Sequence, residues 1–92
     1  MDRFDAMSVL LTVVEAGSLS AAGRKLGLPL STVSRRIADL ETHLGARLLI
    51  RSNRKVNLTE AGRSYVAASK RILSDLADAE RAAAGEYSSV RG

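Results

Sequence analysis

The chain has 92 residues, of which 14 are basic, 10 are acidic and 46% are hydrophobic. This length fits one domain and this composition fits a protein that folds in water, which argues against a multidomain enzyme with its own substrate cleft. Because the chain has no cysteine, disulfides, thiolate nucleophiles and cysteine-ligated zinc sites are excluded.

Two short helices are predicted at the start of the chain. Asp2 is a good N-cap for the first, with Asp5 in the place of a capping box, and Gly17 is a natural helix end. The predicted buried face of this helix consists of Phe4, Met7, Leu10, Leu11 and Val14. The second helix begins after Ser18 and ends at Gly27, and small residues at positions 21–23 let another helix cross it closely.

A third helix is predicted after position 28, with either Pro29 or Ser31 as its N-cap. Its apolar residues recur at spacings of 4, 3 and 4 up to Gly45 and predict a buried stripe of Val33, Ile37, Leu40 and Leu44. The opposite, exposed side consists of Ser31, Arg35, Ala38 and Thr42, with Thr32, Ser34 and Asp39 on its flanks. Because its residues are small and polar around one arginine, this side can lie close against another surface.

The helical period stops after Gly45. Short apolar runs at positions 47–50 and 56–58 predict a hairpin whose turn, residues 51–55, is polar and basic. Thr59 then caps a long helix that runs to about Ala84. Its wide apolar band consists of Tyr65, Ala68, Ile72, Leu76, Ala79 and Ala83, flanked by Val66, Leu73 and Ala77.

This order of elements predicts a mainly α fold: a winged helix-turn-helix, with a three-helix core and a short two-stranded wing, followed by a long dimerisation helix. We assign residues 1–58 to the winged helix-turn-helix domain and residues 59–84 to the long linker or dimerisation helix. Residues 85–92 lose all periodicity and are interpreted as a flexible linker.

The net charge of +4 comes from one segment of the chain. Residues 1–30 and 64–92 each hold equal numbers of bases and acids, whereas residues 31–63 hold seven bases and three acids. Six of those seven bases are arginines, whose guanidiniums suit bidentate contact with phosphate or guanine. The excess charge therefore coincides with the third helix and the hairpin and favours a polyanionic partner.

Double-stranded DNA is the partner that these features favour. Its major groove, about 12 Å wide, admits one α-helix whose N-terminal residues reach the base edges. The predicted groove-reading residues are Leu30, Ser31, Thr32, Ser34 and Arg35. Arg35 suits bidentate contact with guanine, the hydroxyls suit phosphates or base edges, and Leu30 suits a thymine methyl. The residues predicted to bind phosphate or the minor groove from the wing are Arg51, Arg54 and Lys55.

The long helix predicts a homodimer. A helix of this length extends about 39 Å, more than the preceding 58 residues can readily cover, so its distal apolar residues need a partner chain. The predicted dimerisation residues are Tyr65, Ala68, Ile72, Leu76 and Ala79. A twofold dimer would place two recognition helices about 34 Å apart, or a multiple of that distance.

Neither catalysis nor a metal site is expected. His43, the one histidine, has no partner set for a metal, and no phosphate-binding glycine loop or nucleophile with a base is present. We therefore expect no enzyme activity and no cofactor in this chain. The N-terminus lacks a signal-peptide pattern, and the longest apolar stretch, positions 9–14, is far shorter than a membrane span. We expect a cytoplasmic, nucleoid-associated protein with no membrane partner.

Two rival functions share the predicted fold. A binder of RNA or single strands would need aromatic stacking platforms, but Phe4 and Tyr65 are on predicted apolar faces and Tyr87 is in the tail. The alternative to DNA reading is a protein-interaction module without specific DNA readout. That function would leave the arginines of the third helix and the hairpin without a role.

The sequence resembles the LysR-type transcriptional regulators over nearly its whole length. The matching segments are positions 15–19, 21–22, 33–37, 40–41, 44–45, 48–51 and 58–62, together with Phe4 and Leu26. The resemblance implies a DNA-binding regulator of transcription that is dimeric through its long fourth helix, and it is compatible with a tetramer at full length. It also implies groove-reading residues at Leu30, Ser31, Ser34 and Arg35, and wing contacts at Arg51 and Arg54.

Two features depart from the family pattern. Many members have Ser-Gln where this chain has Pro29 and Leu30, and leucine cannot hydrogen-bond to a base, so readout there is either lost or apolar. Family chains also normally continue into an effector-binding domain, and this chain ends at Gly92, about where that domain would begin. We therefore expect an isolated DNA-binding fragment, with any small-molecule effector bound by the absent domain.

Overall fold

Four helices and one hairpin follow one another along the chain. The computed structural model describes residues 1–52 and 55–85, with the backbone alone at positions 51 and 52. The elements are α1 (Arg3–Ala16), α2 (Leu19–Leu26), α3 (Leu30–Leu44), β1 (Leu49–Ser52), β2 (Lys55–Leu58) and α4 (Glu60–Ala83). This order confirms the predicted three-helix core, two-stranded wing and long final helix.

Side-chain caps fix most of the helix starts. The carboxylate of Asp2 accepts hydrogen bonds from the Phe4 and Asp5 backbone N–H groups at 3.0 and 3.2 Å. Ser18 caps α2 in the same way, accepting from Ala21 N at 3.0 Å. The choice left open for α3 falls on Pro29, which caps the helix without a side-chain hydrogen bond. Each N-cap residue has extended backbone dihedrals, as the start of a helix requires.

The hydrophobic core lies where α1, α2 and α3 meet, and β1 and the first half of α4 close it. Val33, Ile37 and Leu40 of α3 are fully buried, as the stripe predicted. Leu44 was predicted to complete that stripe, but it is 39% exposed because the last turn of α3 extends past the core.

The buried face of α1 differs from the prediction. Phe4 is 48% exposed, while Leu11 and Val14 are only half-buried. The buried residues of α1 are Ala6, Met7, Val9, Leu10 and Val13. The prediction was right for Met7 and Leu10, wrong for Phe4, and missed Ala6, Val9 and Val13, because apolar residues surround most of α1 and spacing alone did not determine which side packs inward.

The strands of the hairpin extend further toward its tip than predicted. Its strands pair in antiparallel register, with Leu49 opposite Leu58 and Ser52 opposite Lys55. The turn was predicted at residues 51–55, but positions 51, 52 and 55 belong to the strands. Leu49 is buried whereas Ile50 is 51% exposed, so the two faces of β1 differ as expected for a strand covering a core.

Helix α4 begins on the core and then leaves it. Gly62, Val66 and Ser69 are its buried residues, and all three belong to its first half. The overall dimensions are 53 × 26 × 22 Å, because the second half of α4 projects from the body. Among the described helices, none alone is apolar and long enough to cross a membrane, although α1 and α2 taken together, bent by 118°, would satisfy length and composition.

Candidate nucleic-acid interface

The outer side of α3 forms an exposed surface that we call the recognition face. It consists of Leu30, Ser31, Arg35, Ala38 and Thr42, all of which are exposed. Thr32 and Ser34 are half-buried on its edges. The structure thus brings the five predicted groove-reading residues together on the first two turns of one helix, and Arg35 is the basic side chain among them.

The turn between α2 and α3 is tight. The Leu28 N–H donates to the Gly23 carbonyl at 2.9 Å, and a Cβ added to Gly23 would lie 2.8 Å from the Leu28 carbonyl oxygen. Only glycine allows this approach, which brings the start of α3 against the middle of α2. The narrow middle predicted for α2 therefore determines where the recognition face begins.

Arg36, next to Arg35 along α3, is directed away from the recognition face. Its Nη1 donates to Asp5 Oδ2 at 2.5 Å, and this ion pair joins α3 to the first turn of α1. Asp5 was predicted to take part in a capping box, but its carboxylate is the acceptor for Arg36. Sequence reasoning missed this pair, because its members are 31 positions apart and each resembles an ordinary surface charge.

The wing contributes one described basic side chain. Lys55, at the start of β2, is exposed, and so is Asn57 further along the same strand. Arg54 lies outside the described residues, and Arg51 is described for its backbone only, within β1. The predicted DNA contacts of Arg51, Arg54 and Lys55 therefore stay predictions, and Lys55, predicted in the turn, is an exposed residue of β2.

The base of the wing is fixed by a group of residues that we call the joint: Glu41, Leu48, Thr59 and Gly62. The side chain of Glu41 accepts hydrogen bonds from the Leu48 and Leu49 N–H groups at 2.8 and 3.2 Å. It also lies 3.6 Å from Arg47 Nε, and its side chain is only 10% exposed. One acid near the end of α3 thereby holds the start of β1. Nothing in the local sequence around Glu41 indicates this contact, because Leu48 is seven positions away.

Thr59 and Gly62 connect the same place to α4. The Thr59 hydroxyl donates to the Arg47 carbonyl at 2.6 Å and accepts from Gly62 N at 2.9 Å. The Thr59 N–H donates to the Leu48 carbonyl at 3.0 Å. A Cβ on Gly62 would lie 2.1 Å from that carbonyl oxygen, so the absence of a side chain lets α4 approach β1. The wing and α4 are therefore held in one arrangement.

The predicted dimerisation residues occupy one side of α4. Tyr65 is half-buried and packs on the chain's own core, and Ala68 and Leu76 are also half-buried. Ile72 is 41% exposed, and Ala79 is exposed as well. The core-facing residues of α4 lie about 80° round the helix from this side, since each residue turns about 100°. The described chain thus leaves the distal part of the predicted surface uncovered.

No group of three or more histidine, cysteine, aspartate or glutamate side chains within residues 1–52 and 55–85 could hold a metal ion. His43 is exposed near the end of α3. The side chains of the recognition face offer two hydroxyls, one guanidinium and the apolar groups of Leu30 and Ala38.

A helix exposed after a tight turn, an antiparallel hairpin behind it and a core of three helices define a winged helix-turn-helix domain. The profile of the "bacterial regulatory helix-turn-helix protein, lysR family" matches residues 4–63 of the chain. The chain therefore belongs to the LysR family of bacterial helix-turn-helix regulators, as its sequence motifs predicted.

Known proteins agree with this assignment. An HTH-type transcriptional regulator of Xanthomonas campestris pv. campestris (strain 8004) is 49% identical over 84 residues, which cover 91% of this chain and 24% of that protein. The chain thus spans about a quarter of the length of that relative. The fold matches the crystal structure of CbnR, a LysR family transcriptional regulator, with a TM-score of 0.86 and 30% identity, over 92% of this chain and 29% of CbnR.

A second solved structure is a complex with DNA. The CbnR DNA-binding domain in that complex matches with a TM-score of 0.79 and 36% identity, over 91% of this chain and 99% of that domain. The chain therefore corresponds in extent to a DNA-binding domain of the family.

Proposed function

We propose that this chain is the sequence-specific, double-stranded DNA-binding part of a dimeric transcriptional regulator that acts on the nucleoid in the cytoplasm. The observation that carries the proposal is the recognition face, where small exposed side chains surround Arg35 on the first turns of a helix. A face of this shape enters a groove about 12 Å wide without obstruction from long side chains. The solved DNA complex of a family member supports the same partner.

The residues of the recognition face make different kinds of contact with DNA. Arg35 makes the bidentate contact with guanine that fixes sequence, a contact worth about 1 to 3 kcal/mol of discrimination. Ser31, Thr32 and Ser34 bond to phosphates or base edges. Leu30, which is 50% exposed, makes the apolar contact. This leucine replaces the glutamine of many relatives, so the chain reads that base step by shape and methyl contact.

The wing binds the flanking backbone. Lys55 is exposed on β2, and Arg51 and Arg54 of the same hairpin add two further positive charges. Contacts to phosphate supply affinity and register and carry little sequence information. Arg35 and the wing thus have separate roles, which substitution can distinguish.

The binding test is a titration of duplex DNA at two salt concentrations. Each phosphate contact contributes about −0.9 to the slope of log affinity against log salt, so binding must weaken steeply as salt rises. Arg35→Ala should reduce the preference for the best duplex over a random one. Lys55→Ala should weaken all duplexes alike and lower the slope by about one. Salt-independent or absent binding would overturn the proposal and favour a protein-interaction module.

The dimer forms along α4. Its distal half has no buried residue within the described chain, and Ile72 is 41% exposed there in the middle of the predicted surface. A large apolar side chain on a projecting helix is stabilised by burial against a partner. A second copy gives the twofold symmetry that spaces two recognition helices about 34 Å apart, one turn of DNA.

Light scattering of Ile72→Asp tests the dimer. The wild-type chain should be dimeric at micromolar concentration and the variant monomeric, because a carboxylate cannot be buried unpaired in the interface. The matched control is Ser74→Asp, an equal charge at an exposed position on nearly the opposite side of α4. A monomeric wild type, or loss of dimer in both variants, would contradict this interface.

A further inference from the structure

Two adjacent arginines of α3 differ in their exposure and in their contacts. Arg35 is exposed on the recognition face, whereas the guanidinium of Arg36 donates to the carboxylate of Asp5 at 2.5 Å. The two side chains of this ion pair are 39% and 45% exposed, so solvent reaches the contact. Arg36 follows Arg35 by about 100° around the helix and therefore lies at the edge of the recognition face. If Asp5 did not hold it, the Arg36 side chain would be long enough to reach the phosphate backbone of DNA bound at that face.

Acids and cationic groups balance around this pair. A cleft between the start of α1 and α3 is lined by three acids, Asp2, Asp5 and Asp39, and by three cationic groups, Arg35, Arg36 and the N-terminal ammonium of Met1. The cleft therefore has no net positive charge, although the segment around α3 carries the whole excess positive charge of the chain. At physiological salt such charges act over about 8 Å, so this compensation is local to the edge of the domain where Asp5 lies.

We propose that Asp5 is a positioning residue for DNA recognition: it holds Arg36 away from the phosphate backbone, so that one of the two adjacent guanidiniums reads DNA. The inference rests on the proposed DNA-binding function. A second arginine on phosphate would add affinity for every sequence equally. Because such a contact multiplies specific and non-specific affinity by the same factor, restraint of Arg36 leaves their ratio unchanged and instead limits the total affinity for DNA and its dependence on salt.

The test compares salt dependence for Asp5→Ala and the wild type on preferred and random duplexes. Release of Arg36 should make the slope of log affinity against log salt steeper by about 0.9. The affinity gain should then be about 3.5-fold larger at about 50 mM than at about 200 mM salt, and equal for both duplexes. Glu80→Ala is the control, since it removes one exposed acid from the distal part of α4 and should leave the slope unchanged.

A second substitution separates a freed arginine from a general change of charge. Arg36→Gln alone should leave the slope at its wild-type value, because this arginine does not touch phosphate in the wild type. Asp5→Ala combined with Arg36→Gln should lose the gain in affinity. Thermal melts of all variants check folding, and a purely structural ion pair would lower the melting temperature without changing the slope.

Three results would overturn the inference while leaving DNA binding intact. An unchanged salt slope in Asp5→Ala means that Arg36 does not contact the DNA backbone even when Asp5 is absent. A lower affinity in Asp5→Ala together with a shallower slope in Arg36→Gln means that Asp5 supports a phosphate contact of Arg36. A gain that persists in the double variant assigns the effect to charge alone. If the wild type itself shows no salt-dependent binding, the proposed function fails instead.

Discussion

The start of α3 and Glu41 near its end are built in opposite ways. At the start of α3, Pro29 caps the helix without a side-chain hydrogen bond, and the next residue, Leu30, is 50% exposed. Near the end of α3, Glu41 is bonded to two backbone N–H groups and is 10% exposed. The Leu30 side chain is accessible to a ligand, whereas the Glu41 side chain is committed to the joint. Substitutions at the two ends should therefore separate stability from DNA reading.

The largest expected effect is at Gly62 in the joint. In Gly62→Ala the new Cβ would lie 2.1 Å from the Leu48 carbonyl oxygen, and this backbone oxygen cannot rotate away. We expect a loss of about 3 kcal/mol or more in the free energy of unfolding, measured by urea denaturation. Ser64→Ala, at an exposed site of the same helix, is the control and should be near neutral. Equal stability of the two variants would show that the joint is not tightly packed.

Glu41→Ala should have the next largest effect. It leaves the Leu48 and Leu49 N–H groups without the carboxylate that accepts from them, which costs about 2 kcal/mol of stability. Hydrogen exchange should increase at those two amides before it increases elsewhere in the core. Glu80→Ala removes an exposed acid and controls for the change of charge. Retained protection of both amides would contradict the assigned role of Glu41.

Ser69→Ala should change stability in the opposite direction. The Ser69 side chain is fully buried on α4, and its hydroxyl has no hydrogen-bond partner among the described residues. Because an unpaired buried hydroxyl is unfavourable, its removal should stabilise the domain by about 1 kcal/mol. Ser74→Ala, at an exposed position of the same helix, should not. DNA affinity of Ser69→Ala should match the wild type, and a loss of stability would show that the hydroxyl is satisfied in solution.

The smallest effect is expected at Leu30. It concerns the recognition of one base and leaves the stability of the domain unchanged. Once selection has defined the preferred duplex, replacement of the contacted thymine by uracil removes one methyl and should cost about 0.8 kcal/mol, or about fourfold in affinity. In Leu30→Ala the same replacement should cost nothing, while the melting temperature stays unchanged. Ser31→Ala should keep the uracil effect. If every thymine tolerates uracil in the wild type, the apolar contact does not exist.

Local signals accounted for most of the fold. Asp2, Ser18 and Thr59 have the side chains that cap helices, and the spacing of Val33, Ile37 and Leu40 allows only one buried side of α3. These features depend on residues within a few positions of one another. The recognition face followed directly, since it is the side opposite the buried stripe.

The features that sequence reasoning missed depend on distant partners. Two acids contact partners that are distant in the sequence: Asp5 pairs with Arg36, and Glu41 accepts from the Leu48 N–H. In the sequence each acid has the appearance of a solvated charge. Gly62 looks like a weak point in a helix until the approach of the Leu48 carbonyl is known. The buried side of α1 was partly misassigned because its apolar residues gave no contrast between faces.

The connection of Thr59 to both the wing and α4 has a mechanical consequence. Helix α4 has 24 residues and is therefore about 36 Å long, with its near end fixed by Thr59 and Gly62. A rotation of about 5° at this end moves the far end by about 3 Å, close to the rise of one base pair along a DNA strand. In the proposed dimer, the angle at which Thr59 and Gly62 hold α4 would therefore determine the half-site spacing that the two domains span.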